Sequence, residues 1–165
     1  MEQNAYFIPA LIEKCRIGVF KKDFAMIKEG YQELLKIEKQ NIIGYIYWTF
    51  YLLAQDGNLD DARDKYEKLY QLILNQEPDN VELMVFVTRL FSRICGRATL
   101  IINISLRLID RCRQIDAMSV EPLLEMANNL YMIEDYSQAF NMYKMAASLN
   151  SNSSDLRPMI GIIKT

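Results

Sequence analysis

The stretch Leu59-Asp60-Asp61-Ala62-Arg63-Asp64-Lys65-Tyr66 returns by residue type as Tyr136-Ser137-Gln138-Ala139-Phe140-Asn141-Met142-Tyr143. In both, a bulky residue opens, a small alanine follows three positions later, and a tyrosine comes one turn after that. On a helix these three positions share one face. The small residue lets a second helix approach closely, and the tyrosine fills the groove beside it. The apolar stripe runs on through Leu69, Tyr70 and Ile73 in the first copy and through Ala146 and Ala147 in the second. Two more stripes have the same period: Phe24, Ile27, Tyr31, Leu34, Leu35, and Ile101, Ile104, Leu108, Ile109, Cys112.

Between these amphipathic segments lie others that are apolar on more than one side: 5–19, 42–54, 81–94 and 120–133. A helix apolar nearly all round is sandwiched between neighbours, so the chain alternates inner helices with outer ones. Breaks fall where the alternation needs them, at Gly57-Asn58, Pro78-Asp79-Asn80, Gly96, Glu134-Asp135 and the polar run 150–154. Phe24 and Leu59 are 35 residues apart, and Leu59 and Tyr136 are 77 apart. These are one unit of 35 and two of about 38 residues, the period of stacked helix pairs.

The alanine–tyrosine pattern resembles the outer helix of a tetratricopeptide (TPR) repeat. The expected fold is therefore all-α: a right-handed superhelical α-solenoid of TPR-like antiparallel helix pairs. Four pairs and a partial fifth form one segment over 1–165, with repeats near 5–39, 41–77, 80–116, 119–149 and 153–165. The first helices are degenerate, with Ala127 at the small position of the last unit but Phe50 in the second. The third unit has a longer turn and no outer-helix alanine. HEAT-like pairs of the same period are the alternative.

Composition narrows the chemistry. Among 165 residues there is no histidine, which removes imidazole acid–base catalysis, Ser-His and Cys-His pairs, and His-ligated metals. A net charge of −2 argues against a nucleic-acid module. Cys15, Cys95 and Cys112 are odd in number and widely spaced, so they read as small core residues in a reducing compartment, and three thiols without histidine make a poor zinc site. No basic n-region precedes an apolar run at the N-terminus, and stretches such as 45–54 are too short to span a membrane. The six glycines form no phosphate loop, and the acidic pairs Asp60-Asp61, Asp79 near Glu82, and Glu134-Asp135 sit at helix starts, where capping explains them. No catalytic residue, cofactor, metal or small-molecule substrate is expected.

Candidate partner-binding residues lie on inner helices. Tyr47 and Tyr51, one turn apart, present rings and hydroxyls to a bound peptide, or else pack between repeats. Arg89, Arg93 and Arg97 make a basic stripe that either grips acidic partner residues or is a solvated face. Asn128 and Asn129 occupy the fourth inner helix. No matching set of asparagine and lysine stands on the others, which argues against the carboxylate-clamping TPR modules that hold chaperone tails.

The run Phe91-Ser92-Arg93-Ile94-Cys95-Gly96-Arg97 through Ile102, then Leu108–Arg111 and the last pair Leu124–Leu149, resembles the tetratricopeptide repeat protein 21 family. Phe7-Ile8-Pro9-Ala10, Lys22-Asp23-Phe24 and Gln55-Asp56-Gly57-Asn58-Leu59 extend the likeness over nearly the whole chain. Family members are several-fold longer, so the resemblance implies an internal segment. It also implies a non-catalytic scaffold within intraflagellar transport complex A, acting in retrograde transport and cilium assembly. The implied partners are other subunits of that complex, and the implied location is the cilium and its base. Leu156–Thr165 begins an inner helix with no outer helix behind it, so Met159, Ile160, Ile162 and Ile163 are expected to be half covered and the isolated chain to be marginal or to self-associate.

Overall fold

Asn and Asp side chains decide where most helices begin. The computed structural model describes residues 7–150 and 155–165; the start of the first expected repeat and the polar run 151–154 lie outside the described residues. The helices are α1 (Phe7–Lys21), α2 (Phe24–Ile37), α3 (Ile42–Tyr51), α4 (Leu59–Gln76), α5 (Val81–Ser92), α6 (Thr99–Ile115), α7 (Val120–Met132), α8 (Tyr136–Leu149) and α9 (Arg157–Lys164). Asp23, Asn41, Asn58, Asn80 and Asp135 each cap the helix that follows by accepting a backbone N–H three residues on. No strand occurs among the described residues.

The chain separates into two compact units, 1–77 and 78–165, parted at Pro78. In the first, α1 pairs with α2 and α3 with α4, while α2 also packs on α3. Links as short as Lys22-Asp23 between closely packed helices make the partners antiparallel. The core holds Cys15, Ile27, Leu34, Ala62, Tyr66, Leu69 and Ile73, all fully buried. Ala62 and Tyr66, the small and large members of the motif, thus both reach the interior.

The second unit pairs α5 with α6 and α7 with α8, and α9 packs on α8. Its first helices also meet one another, α5 on α7 and α7 on α9, as stacked repeats require. Ala139, Tyr143 and Ala146 from α8 join Leu123, Leu124, Ala127 and Leu130 from α7 in one cluster. The motif plays the same part here as in the first unit. This is the all-α, TPR-like helical-repeat architecture expected of the periodicity.

Three local features differ from the sequence expectation. The inner helix expected over 42–54 stops as an α-helix at Tyr51 and continues as a π-helical turn, Leu52–Asp56. The wider turn places adjacent Leu52 and Leu53 both in the core before Gly57, at φ +61°, ends it in the left-handed region that favours glycine. Asp79 is not a cap, since Asn80 takes that role and Asp79 accepts from Arg111 at 3.0 Å. Glu134 adopts φ +66° in the turn, leaving the cap of α8 to Asp135.

Candidate functional site

The aromatic residues of α3 point in several directions. Tyr47 packs against the cluster of Leu11, Cys15 and Leu34, and burial pushes its phenol pKa up. Tyr51 lies edge-on to Phe24, tilts against Tyr31 at 5.9 Å and receives Lys28 over its ring. Trp48 stacks on Tyr31 at 5.7 Å, and the Lys65 ammonium stands 4.3 Å from the Trp48 ring. Tyr47 and Tyr51, one turn apart, therefore have different neighbours, and both are half-buried within the first unit. Their rings are occupied by the preceding helix pair.

The basic stripe splits as well. Arg89 Nε donates to the buried Glu125 carboxylate at 2.6 Å, and its Nη2 pairs with Glu121. Arg97 pairs with Glu134. Arg93 is exposed, and no carboxylate among the described residues pairs with it. Of the two asparagines, Asn129 is buried with its Nδ2 bonded to the Glu125 carbonyl at 2.7 Å, whereas Asn128 is the exposed member.

Arg93 and Asn128 meet in a groove of the second unit. Two adjoining hollows, of ≈ 200 and ≈ 430 Å³, run between α5, α7 and α9. Arg93, Glu125, Asn128, Tyr143 and Lys164 line both of them. Tyr143 supplies the floor: its ring lies beneath Gly161, where any Cβ would overlap the ring, so glycine is what lets α9 seat. The Tyr143 hydroxyl donates to Asn128 Oδ1 at 2.7 Å, which turns the Asn128 NH₂ away from the floor.

Beside the hollows, charge links the three helices. Glu121 takes both Arg89 and Arg157, and Arg157 also holds Asp155 at 2.8 Å. The Arg157 guanidinium, with Arg89 in support, keeps the Glu121 carboxyl below its ordinary range against the opposing effect of burial. Reciprocally, Glu125 and Glu121 hold Arg89 protonated, and Asp155 and Glu121 do the same for Arg157. The cysteines take no part: all three are buried free thiols, pushed up to about 11 by burial. No group of three or more potential metal-ligating His, Cys, Asp or Glu exists among the described residues.

Glu121, Glu125, Arg157 and Lys164 were not singled out from the sequence, and Tyr143 was read there only as a packing residue of the repeat. A signal was present, because Arg89 and Glu125, like Glu121 and Arg157, are 36 residues apart, one repeat. Residues at that spacing stack side by side on neighbouring inner helices.

Comparison with known proteins agrees with the paired-helix frame. The family model described as "Tetratricopeptide repeat protein 21 second ARM domain" matches residues 64–164, more than half of the chain. The chain belongs to the tetratricopeptide repeat protein 21 family. Its relatives in that family include tetratricopeptide repeat protein 21B of Homo sapiens, 27% identical over 158 residues and 96% of this chain. Tetratricopeptide repeat protein 21A of Mus musculus is 24% identical over 88% of it. The chain spans 12% and 11% of the lengths of these two family members. Among solved structures, a mutant of MamA superposes with a TM-score of 0.55 over 96% of this chain and 83% of its own, at 13% identity, a likeness of fold. No helix among the described residues is long and apolar enough to cross a membrane.

Proposed function

We propose that this chain is a non-catalytic protein-interaction segment of the long helical-repeat subunit of intraflagellar transport complex A. In this reading it acts in retrograde ciliary transport and cilium assembly, at the cilium and its base, and its partners are other subunits of that complex. The family match over 64–164 carries the proposal. The fold supports it, since stacked helix pairs present extended surfaces to proteins and their stability passes from neighbour to neighbour. The charged network beside the groove supports it too: its carboxylates are tied to arginines, an arrangement that fixes helices and moves no proton.

A peptide groove around Tyr47 and Tyr51 is less well supported, because both rings already pack on α1 and α2. The test is affinity capture from ciliated cells with the protein as bait. Recovery of complex A subunits is the expected result. Recovery of chaperones alone overturns the proposal.

A further inference from the structure

The groove between α5, α7 and α9 carries more positive charge than its own chain neutralises. Arg89 and Arg157 are satisfied by Glu121, Glu125 and Asp155. Arg93 and Lys164 are not: both are exposed, both line the same two hollows, and neither pairs with a carboxylate among the described residues. They come from opposite walls, Arg93 at the end of α5 and Lys164 at the end of α9. Asn128 stands between them on α7, its carbonyl held by Tyr143 and its NH₂ left to donate. The three occupy one register, 35 and 36 residues apart, so neighbouring repeats bring them level. Leu124 and Ile160 add apolar surface beside them.

We propose that this groove binds an acidic peptide segment of a partner protein. Asp or Glu side chains of that segment pair with Arg93 and Lys164, and the Asn128 amide donates to one of the carboxylates. Charge complementarity selects this occupant. Two cations on separate walls match two acidic side chains, whereas a single chain terminus brings one negative charge. The same three helices already show the mode of capture, since Glu121 and Glu125 of α7 are held by arginines of α5 and α9. The inference rests on the protein-interaction reading above and names its site and chemistry.

Fluorescence anisotropy with the full chain tests it. The probe is a fluorescein-labelled, C-terminally amidated peptide carrying Glu-Leu-Asp-Leu-Glu. Two control peptides accompany it, the Gln/Asn analogue and that analogue with a free terminal carboxylate. Saturable binding of the acidic probe alone is expected, weakening as salt rises. Arg93→Gln and Lys164→Gln should each reduce affinity by about two- to fivefold, the upper range for an exposed charged contact. Asn128→Asp should weaken it as well, and Arg93→Glu with Lys164→Glu should abolish it. All these side chains are exposed, so unchanged far-UV circular dichroism is expected to accompany the losses.

Three results overturn the assignment: no saturable binding, equal affinity in wild type and the Arg93→Gln/Lys164→Gln double variant, or preference for the free-carboxylate control. If the titration fails while complex A subunits are still captured from ciliated cells, only the groove assignment falls. If both fail, the interaction reading falls with it.

Discussion

Glu125 is the residue on which the second unit is most exposed to a single change. The residue is 5% exposed and its carboxylate is held by Arg89 Nε, so it is a buried charge whose partner reaches the surface. Removing the arginine strands that charge, a defect that typically costs about 3–5 kcal/mol for a buried pair. Arg89 is itself 31% exposed, so water recovers part of the loss. Arg89→Met should therefore lower stability by about 2–4 kcal/mol in urea unfolding, and adding Glu125→Leu should restore most of it. Equal losses in the single and double variants would show that Arg89 acts by packing alone. The sequence displayed Arg89 as part of a surface stripe with Arg93 and Arg97. It did not by itself show that Arg89 and Arg97 meet carboxylates while Arg93 meets none among the described residues, because each of those carboxylates lies more than 30 residues from its arginine. Tyr47 and Tyr51 were ambiguous for the same reason: a helical wheel shows which residues share a face, not which neighbour covers it.

Among the elements, α9 has an attachment that depends on charge. It seats through Gly161 against the Tyr143 ring and through Arg157, whose guanidinium bridges Glu121 on α7 and Asp155 just before the helix. Glu121 titrates lower in the folded chain than in the unfolded one, so its contribution is fully present above the ordinary carboxylate range and is lost as pH falls through the depressed value. Hydrogen exchange at the amides of α9 should accordingly be slow at pH 6 and quicken, beyond the intrinsic pH trend, below about pH 4. Glu121→Gln should show the faster exchange already at pH 6 and a flatter acid dependence. An acid response identical to wild type would place the anchoring elsewhere. Most of the elements themselves were legible in the sequence. The stripe of period 3.6, the asparagine and aspartate caps and Gly57 mark most boundaries locally. The π-helical turn at Leu52–Asp56 was not legible, because an apolar run that continues through Leu52 and Leu53 reads equally well as more α-helix.

Over the whole molecule, the division at Pro78 makes cooperativity a measurable property. Trp48 is the sole tryptophan and belongs to the first unit, while the helical circular dichroism signal comes from both. If the units unfold separately, tryptophan fluorescence and circular dichroism will give different denaturant midpoints. Coincident midpoints would show that the two behave as one cooperative body. Apolar side chains stand open in each, Phe20 at 88% in the first and Ile163 at 82% in the second. Concentration-dependent light scattering, reduced by Phe20→Ser or Ile163→Ser, is the expected sign of association through them. The repeat itself was plain in the sequence, since Ala62/Tyr66 and Ala139/Tyr143 carry it. What stayed hidden was the groove, whose members become neighbours only when the repeats are stacked in register. That register has a genetic consequence. Arg93, Asn128 and Lys164 line up because each lies one repeat beyond the last. A helix lengthened or shortened by one residue rotates everything beyond it by about 100°. Gain or loss of a whole repeat keeps the rows aligned, whereas a smaller change within α7 scatters them. An insertion or deletion within the repeats that is not a whole unit long thus breaks the row of cations and amide across the groove.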